Sequence, residues 1–347
     1  MRLTVAGAGI IGLATAWRAS QKGWGVTVRD PRPGSGATHA AAGMLAAVTE
    51  AEFGEEDLVP FAVESVRLWR GFAEELQAES GVGLDYSPEG TILLGWNESD
   101  RAAVRRQVGL YRRLALPVEE VGARGLRKQE PLIGHRCREG FVIGSDHSVD
   151  PRAVLTALDT ACRKRGVVFE ESAYHRGEGT GPIVIAAGNG SRELGLPVRP
   201  VRGVVLRLRA GEGALTRTIR AIVDGDPLYI VPRPGGEVVV GATSDEIADE
   251  ERATAGAVLD LLRKAADLVP EIREYHLGET TVGFRPTTPD NLPLIGRVDD
   301  RTWAATGHYR HGIALAPATA RAVVEMVGTG SSGLVPPSFD PLRATAV

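Results

Sequence analysis

A glycine-rich turn near the start of the chain has residue types suited to binding a pyrophosphate. A short apolar run leads into glycines at 7, 9 and 12, and a helical pattern follows them. Gly7 permits a tight turn, Gly9 lets the backbone approach an anion, and Gly12 lets the helix pack closely on the preceding strand. The N-terminus of that helix would then present partial positive charge and free N–H groups to the anion.

An acidic residue completes this pattern. After the helix, a second apolar strand at 26–28 ends just before Asp30. A carboxylate at this point accepts hydrogen bonds from the ribose hydroxyls of an adenine dinucleotide, and its charge argues against a 2′-phosphate. Strand, glycine turn, helix, strand and acid occur in the required order, so the sequence predicts a dinucleotide-binding unit.

Composition limits the class of protein. The chain has 347 residues, a net charge of −4, 43% apolar and 24% charged residues, which is ordinary for a globular protein with room for two domains. This charge gives no indication of a nucleic-acid partner. Cys137 and Cys162 fit neither a disulfide framework nor a metal site, and no run is long and apolar enough to span a bilayer. We therefore expect a cytoplasmic enzyme without a metal, a membrane or a nucleic-acid partner.

Hydrophobic periodicity indicates the elements that must position these residues. The pattern predicts helices at 58–80, 99–114, 150–166, 251–269 and 317–327, and strands at 91–94, 167–169, 182–189, 204–208, 228–232, 237–241 and 303–306. The parallel type of strand returns at 182–189, which indicates a first domain completed by non-contiguous segments. From 201 the strands alternate, which is typical of an antiparallel sheet. The predicted fold class is α/β, with a Rossmann-like domain and an inserted α+β domain built on an antiparallel sheet.

Two motifs near the C-terminus are more specific. Gly283–Gly296 reads Gly-Phe-Arg-Pro-Thr-Thr-Pro-Asp-Asn-Leu-Pro-Leu-Ile-Gly, and Thr306–Thr319 reads Thr-Gly-His-Tyr-Arg-His-Gly-Ile-Ala-Leu-Ala-Pro-Ala-Thr. With the N-terminal glycine motif and the small-residue run Ala40–Leu45, they make the chain resemble the D-amino acid oxidase superfamily of FAD-dependent amine oxidases, and within it the glycine oxidases of thiamine biosynthesis. The resemblance extends from end to end.

The resemblance implies one FAD, held non-covalently, in a domain formed by 1–80, 141–200 and 285–335. The substrate-binding domain is implied to comprise 81–140 and 201–284. The chain beyond Gly328 is predicted to be a loose end, with 336–347 as a C-terminal tail. No cysteine lies in the segments that match the flavin site, which argues against covalent attachment. The positions that match cofactor contacts are Gly7, Gly9, Ile10, Ile11, Gly12, Asp30, Pro31, Ala37, Thr38, Ala42, Gly43, Met44, Ala173, Ala187, Gly188, His308, Tyr309, Arg310, His311, Gly312, Ile313 and Ala314.

Three polar side chains match the substrate site of the superfamily. Arg285, in a Phe-Arg-Pro turn, matches the arginine that binds the substrate carboxylate. Arg310 matches a second arginine close to the substrate, and Tyr229 matches the tyrosine that supports the bound amino acid. A planar guanidinium binds a carboxylate through two parallel hydrogen bonds, which would direct the Cα–H bond toward flavin N5. A nearby cation also favours the neutral amine, whose lone pair drives the departure of the hydride.

Each assignment has a structural alternative. An arginine before a proline is often a turn residue paired at the surface, and Tyr229 could be a buried aromatic residue of a strand. His308 and His311 could act as bases. Hydride transfer to a flavin needs no base, so we favour packing or flavin contact for both histidines.

Two features depart from the superfamily pattern. The segment 170–182 is shorter than the β-meander usual at this point, and Ala173 is the position that we assign to its contact with FAD. His311 stands where glycine oxidases more often have asparagine, and the exchange would change the polarity at the mouth of the pocket.

The resemblance implies oxidative deamination of glycine, or of another small primary or secondary amino acid, by hydride transfer from Cα. Hydrolysis of the imine would give glyoxylate and ammonia, and O2 would accept the electrons to give H2O2. Transfer of the imine to thiazole synthase and a homotetramer are also implied. The alternatives that stay open are a related oxidase or dehydrogenase of sarcosine, D-amino acids or D-proline, and a non-catalytic nucleotide-binding subunit.

Overall fold

The computed structural model describes residues 1–211, 215–246 and 251–343. Several helices begin at a side-chain cap. Asp150 accepts a hydrogen bond from the N–H of Arg152, with Pro151 at the first helical position. No described helix is long and apolar enough to cross a membrane. The α-helices of the described residues are α1 (Ile10–Gln21), α2 (Ala37–Ala40), α3 (Leu58–Ser80), α4 (Glu98–Arg113), α5 (Ala123–Gln129), α6 (Pro151–Lys164), α7 (Ala255–Leu268) and α8 (Ala316–Thr329).

The strands form where apolar and β-branched residues cluster between turns. Short 3₁₀ turns connect some of them, at Gly188–Arg192, Pro234–Gly236, Pro270–Glu274, Tyr309–His311 and Pro337–Phe339. The strands of the described residues are β1 (Arg2–Ala6), β2 (Gly25–Arg29), β3 (Met44–Leu45), β4 (Thr91–Gly95), β5 (Glu119–Gly122), β6 (Glu139–Ile143), β7 (His147–Ser148), β8 (Val168–Glu170), β9 (Ile183–Ile185), β10 (Arg199–Arg209), β11 (Thr218–Val223), β12 (Asp226–Pro232), β13 (Glu237–Gly241), β14 (His276–Thr287), β15 (Leu294–Arg297) and β16 (Thr302–Thr306).

A six-stranded sheet carries the glycine turn. Its order is β15-β16-β9-β1-β2-β8, with β15 antiparallel at one edge and the other strands parallel. Its strands come from three separate parts of the chain, so the predicted assembly from non-contiguous segments is confirmed. Helices α1, α3, α6 and α8 pack together beside this sheet around a core that fully buries Trp17 and Trp69. The carboxyl ends of β1 and β2 therefore lie on a rigid support.

A second sheet has eight strands in the order β14-β10-β13-β12-β11-β4-β6-β5. Its type is antiparallel as predicted, except that β11 and β4 pair in parallel. Helix α7 packs against β10, β12 and β13 over a second apolar core.

Three strands of the second sheet cross predicted domain boundaries. Strand β6 spans the predicted boundary between 140 and 141, β10 spans that between 200 and 201, and β14 spans that between 284 and 285. The division into a cofactor domain and a substrate domain stays a prediction.

The C-terminal segment also differs from the prediction. Phe339 is fully buried and packs edge-on against Phe61, with the ring centroids 5.3 Å apart. Arg343 forms an ion pair with Asp290 at 2.8 Å. The prediction of a loose end beyond Gly328 is therefore wrong as far as residue 343, because a buried aromatic ring anchors the segment. Residues 344–347 lie outside the described part of the chain.

Candidate active site

A cavity of about 1180 Å³ lies between the two sheets. It extends from the carboxyl ends of β1 and β2, where open parallel sheets bind ligands, to one face of the eight-stranded sheet. The structure brings the predicted site residues together, since all of them except Gly12 line this cavity. They are Gly7, Gly9, Ile10, Ile11, Asp30, Pro31, Ala37, Thr38, Ala42, Gly43, Met44, Ala173, Ala187, Gly188, Tyr229, Arg285, His308, Tyr309, Arg310, His311, Gly312, Ile313 and Ala314.

The glycine turn has the shape that a pyrophosphate requires. Gly7 has φ of +114°, and a β-carbon there would overlap the carbonyl oxygen of Ala186. A β-carbon at Gly12 would overlap the carbonyl oxygen of Gly7, so this glycine packs the helix on the turn and does not reach the cavity. Gly9 is the N-cap of α1, and a β-carbon there would meet only Oγ1 of Thr38, at 3.5 Å. The turn therefore offers the positive end of α1 to an anion.

Asp30 braces this turn from β2. Its Oδ2 accepts a hydrogen bond from the N–H of Ala8 at 2.7 Å, and its Oδ1 accepts one from the N–H of Arg32 at 2.8 Å. A carboxylate oxygen has a second lone pair, so both oxygens can still accept hydrogen bonds from ribose hydroxyls. Asp30 thus has the position and the free acceptor capacity of the predicted ribose ligand.

The small-residue run 40–45 is held by two buried arginines that the sequence analysis missed. The side chain of Arg233 donates to the carbonyl oxygen of Ala42, and Nη2 of Arg207 lies 3.5 Å from that of Ala41. Both guanidiniums come from the eight-stranded sheet and its adjoining turn, and both residues are at most 5% exposed. The only signal in the sequence was that Arg207 lies within an apolar strand and that Arg233 directly follows one. These contacts tie the run that lines the cavity to the opposite sheet.

The short segment 171–182 closes the cavity beside β2. Strand β8 ends at Glu170 and β9 begins at Ile183, so no strand of the described residues fills the interval. Arg29 forms ion pairs with Glu170 and Glu178, which hold the segment down. Ala173 lines the cavity as predicted, although its contact with a cofactor stays a prediction.

The loop 308–314 is fixed by side chains behind it. His308 is 3% exposed, its Nε2 lies 3.1 Å from Oγ1 of Thr319, and burial lowers the pKa of His308 to about 3. Burial also lowers the pKa of His311. Trp69 donates from Nε1 to the carbonyl oxygen of Ala314 at 3.0 Å. Burial therefore makes both imidazoles weaker bases than an exposed histidine, which favours packing or flavin contact over proton abstraction.

Arg285 lies on the cavity wall without an acidic partner. Its Nη1 donates to the carbonyl oxygens of Thr243 at 3.2 Å and Arg202 at 3.4 Å. Within 1–211, 215–246 and 251–343, no ion pair joins Arg285 to a carboxylate. Tyr229 stands on the same sheet face, and burial raises the pKa of its hydroxyl, against the opposing effect of the Arg285 charge. The wall therefore presents a positive charge and a protonated phenol to the cavity.

Arg310, in contrast, already has two carboxylate partners. Its Nε lies 3.0 Å from Oε2 of Glu50, and its Nη2 lies 2.9 Å from Oε2 of Glu55. Arg220 pairs with the other oxygen of Glu50, and burial lowers the pKa of Arg220 to about 10, so it keeps its charge. These four residues form a cluster without net charge. A direct contact between Arg310 and a substrate carboxylate stays a prediction.

The sequence analysis missed Glu50, Glu55 and Arg220. Glu50 and Glu55 follow the small-residue run and are 7% and 6% exposed, and Arg220 comes from β11. The available signal was the acidic pair just after a segment already assigned to the cofactor. Neither Cys137 nor Cys162 lines the cavity, and among the described residues no group of acidic, histidine or cysteine side chains could hold a metal ion.

A dinucleotide cradle on a parallel sheet, facing a guanidinium on an antiparallel sheet, defines an FAD-dependent oxidoreductase of the amine-oxidising class. The chain belongs to the family described as FAD dependent oxidoreductase, whose model matches residues 2–326. FAD is accordingly the cofactor. The uncovered N-terminus of α1 and the acceptors of Asp30 fit its pyrophosphate and ribose.

The chain is similar to proteins named glycine oxidase and to proteins named ThiO/ThiG. A glycine oxidase of Geobacillus kaustophilus (strain HTA426) is 32% identical over 352 residues, which cover 94% of this chain and 92% of the relative. A bifunctional protein ThiO/ThiG of Trichormus variabilis is 30% identical, and the match covers 94% of this chain but 52% of that protein. The crystal structure of the Geobacillus kaustophilus glycine oxidase has a TM-score of 0.89 at 29% identity and covers 99% of both chains. The resemblance to glycine oxidases is confirmed.

Proposed function

We propose that this chain oxidises glycine with FAD and O2. The observation that carries the proposal is Arg285, a guanidinium on the cavity wall that has carbonyl partners but no carboxylate partner among the described residues. A guanidinium in this state suits the carboxylate of an amino acid. The choice of glycine is supported by the 32% identity to the Geobacillus kaustophilus glycine oxidase.

The side chains of the cavity have distinct tasks in this reaction. When bound, FAD accepts the two electrons and the hydrogen that leave Cα of the substrate. Arg285 binds the substrate carboxylate through parallel hydrogen bonds and so fixes the direction of Cα–H. Its positive charge also favours the neutral form of the substrate amine. Tyr229, whose pKa is raised by burial, keeps its proton and can donate it to the carboxylate in a hydrogen bond.

Hydride transfer from the neutral amine needs no base from the protein, and the charge of Arg285 favours that neutral form in the cavity. Burial agrees with this, because it lowers the pKa of His308 and of His311 and so makes both imidazoles weaker bases. The product is the imine, which water converts to glyoxylate and ammonia, while O2 takes up the electrons and becomes H2O2.

We propose thiamine biosynthesis as the setting of this reaction, with transfer of the imine to thiazole synthase. The similarity to a protein named bifunctional protein ThiO/ThiG supports this proposal. We also propose a homo-oligomer, namely a homotetramer, in the cytoplasm. Light scattering coupled to size exclusion would test the oligomeric state.

The function is tested by anaerobic mixing of the purified protein with glycine, sarcosine, D-alanine or D-proline. We expect glycine to bleach the visible absorbance of the flavin fastest, and air to restore it with release of H2O2. If only another amine bleaches the flavin, that amine would replace glycine as the proposed substrate, and the proposed type of reaction would stand. A yellow protein that none of these amines bleaches would overturn the proposal.

A further inference from the structure

The cavity face of the eight-stranded sheet is built on a row of facing residues. Val205 of β10 lies opposite Thr281 of β14 and opposite Gly241 of β13. Gly241 in turn lies opposite Tyr229 of β12, and Tyr229 lies opposite Arg220 of β11. Facing residues in adjacent strands share one side of a sheet. Five neighbouring strands therefore place these residues on the same face of the sheet.

Arg285 crosses from its own strand to rest on a glycine of the next strand. In the β10–β14 pair, Arg285 lies opposite Val201, and Gly203 lies opposite Gly283. A β-carbon at Gly203 would nevertheless stand 2.5 Å from Nη1, 2.7 Å from Nη2 and 2.8 Å from Cζ of Arg285. The guanidinium thus lies diagonally over Gly203, in the space that any larger residue would fill.

The ring of Tyr229 lies over a second glycine, Gly241, in the same way. A β-carbon at Gly241 would overlap the hydroxyl oxygen and Cζ of Tyr229 and would stand 2.7 Å from its Cε2. The ring therefore lies over β13, while the guanidinium lies over β10. Strands β10 and β13 are adjacent. The guanidinium of Arg285, which reaches across from β14, and the phenol of Tyr229, which reaches across from β12, therefore approach each other.

We propose that Gly203 and Gly241 are positioning residues that set the depth and the orientation of the substrate carboxylate site. Both lack a side chain so that Arg285 and Tyr229 can lie against the sheet and leave the space above them to a small carboxylate. Neither glycine has the positive φ that would itself require glycine. The atoms that an alanine would meet belong to movable side chains, so the strands can accept alanine while the polar groups are displaced.

This inference rests on the proposed function in one respect, namely that the ligand of Arg285 is the substrate carboxylate. Displacing a positioning group by about 1 Å can lower the rate about 10²-fold. We therefore expect Gly203→Ala to lower kcat/KM for glycine by about that factor and to raise the Kd for a carboxylate, without loss of FAD. A purely structural role for Gly203 would instead lower stability and leave the affinity of the folded protein unchanged.

The experiment compares the FAD-loaded wild type with Gly203→Ala and with Gly278→Ala. Gly278 is the matched control because it lies on β14, is exposed, and its β-carbon would only contact the carbonyl oxygen of Arg207 at 3.4 Å. Acetate, a carboxylate without an amine, is titrated while the flavin absorbance is followed, and KM and kcat are then measured with glycine. We expect Gly203→Ala to raise the acetate Kd and the glycine KM and to lower kcat, with a loss of about 10²-fold in kcat/KM. Gly278→Ala should match the wild type.

A double-mutant cycle tests whether Gly203 acts through Arg285. In an Arg285→Lys background, which lacks the planar group above Gly203, we expect Gly203→Ala to cause no further loss of acetate affinity. If Gly203→Ala alone fails to fold, the double variant still tests the contact. Arg285→Lys removes the group that the alanine would meet, so it should restore folding. Tyr229→Ala should suppress the effect of Gly241→Ala in the same manner.

The two proposals fail in different ways. A wild type that binds neither acetate nor glycine would overturn the proposed function. A wild type that binds both, with an unchanged acetate Kd in Gly203→Ala, would overturn this inference alone. An equal loss of acetate affinity from Gly203→Ala in the wild-type background and in the Arg285→Lys background would also overturn it.

Discussion

The guanidinium of Arg310 is paired with the carboxylate of Glu50, with Nε 3.0 Å from Oε2. The same arginine reaches Glu55 at 2.9 Å, and the same glutamate reaches Arg220. Two positive and two negative charges are therefore packed together at the edge of the cavity. Such a cluster stays stable only while its charges balance, because a buried charge without a partner is costly.

Glu50→Gln is expected to lower the free energy of unfolding by about 3 kcal/mol, since it leaves two guanidiniums beside one carboxylate. Urea denaturation of the FAD-loaded protein measures this change. Glu50→Gln combined with Arg220→Gln removes one charge of each sign and should recover most of the loss. Glu64→Gln, at an exposed pair with Arg67 on α3, is the matched control and should change little. An unchanged denaturation midpoint in Glu50→Gln would contradict the balance argument.

Arg285→Ala is expected to weaken glycine binding by about 2–4 kcal/mol, because it removes the charged partner of the substrate carboxylate. This corresponds to an increase in KM of about 30- to 1000-fold. The glycine KM of Arg285→Lys should lie between those of the wild type and Arg285→Ala, since an ammonium keeps the charge but loses the parallel hydrogen bonds. Arg106→Ala, at an exposed position of α4, serves as control. Unchanged glycine kinetics in Arg285→Ala would remove Arg285 from the substrate site.

The sequence predicts those parts of the site that are encoded locally. The glycine turn, Asp30 and the loop 308–314 are contiguous motifs, so their residue types and spacing define their geometry. The fold class follows from the change in strand pattern at 201. In these parts the structure and the sequence agree because the residue types and spacing that define each motif lie close together in the chain.

The missed features depend on contacts between distant segments. Arg310 meets Glu50 across 260 positions, and Arg220 comes to the loop residue Glu50 from β11 of the eight-stranded sheet. Phe339 is a single aromatic residue in a proline-rich end, and nothing around it in sequence shows that Phe61 provides its pocket. Such pairings follow from the packing of whole elements, which periodicity alone does not specify.

Asp30→Ala is expected to raise the Kd for FAD about 10- to 150-fold, because a hydrogen bond to a charged group contributes about 1.5–3 kcal/mol. The change removes the acceptor proposed for the ribose and also the brace on Ala8. Titration of the apoprotein with FAD by calorimetry measures the affinity. Asp260→Ala, at an exposed position of α7, should bind FAD as the wild type does. Equal FAD affinity in Asp30→Ala and Asp260→Ala would show that Asp30 stabilises the glycine turn and does not contribute to FAD binding.

His308 is expected to make the fold less stable in mild acid. Burial lowers the pKa of His308 from about 6.5 to about 3, so between these values the unfolded chain binds a proton that the folded chain excludes. The contribution of His308 is thus complete above pH 6.5 and decreases as the pH falls toward 3. At pH 5 the loss is about 2 kcal/mol. Carboxylates titrate mostly below pH 5, and the contribution of Glu279, whose pKa Arg152 holds down at about 2, is lost mainly below that pH. His311, whose pKa burial also lowers, adds a loss of the same sign as His308.

Urea denaturation at pH 7, 6 and 5 measures this loss for the wild type and for His308→Gln, which keeps a polar group near Thr319. We expect a smaller decrease in the variant. His276→Gln, at an exposed position, should retain the pH dependence of the wild type. Parallel curves for the wild type and His308→Gln would show that His308 is not the group responsible.

Two helical glycines are expected to respond to alanine in opposite directions. A β-carbon at Gly12 in α1 would overlap the carbonyl oxygen of Gly7 and stand 3.4 Å from Cγ1 of Val5, so Gly12→Ala must push the helix off the turn. Gly109 in α4 has open space around its missing β-carbon, so Gly109→Ala should stabilise the fold by about 0.5–1 kcal/mol through helix propensity. Denaturation and FAD titration of both variants measure the difference. FAD affinity should fall only in Gly12→Ala, because only that change moves the N-terminus of α1 away from the pyrophosphate. A Gly12→Ala protein with the stability and FAD affinity of Gly109→Ala would contradict the close packing of helix and turn.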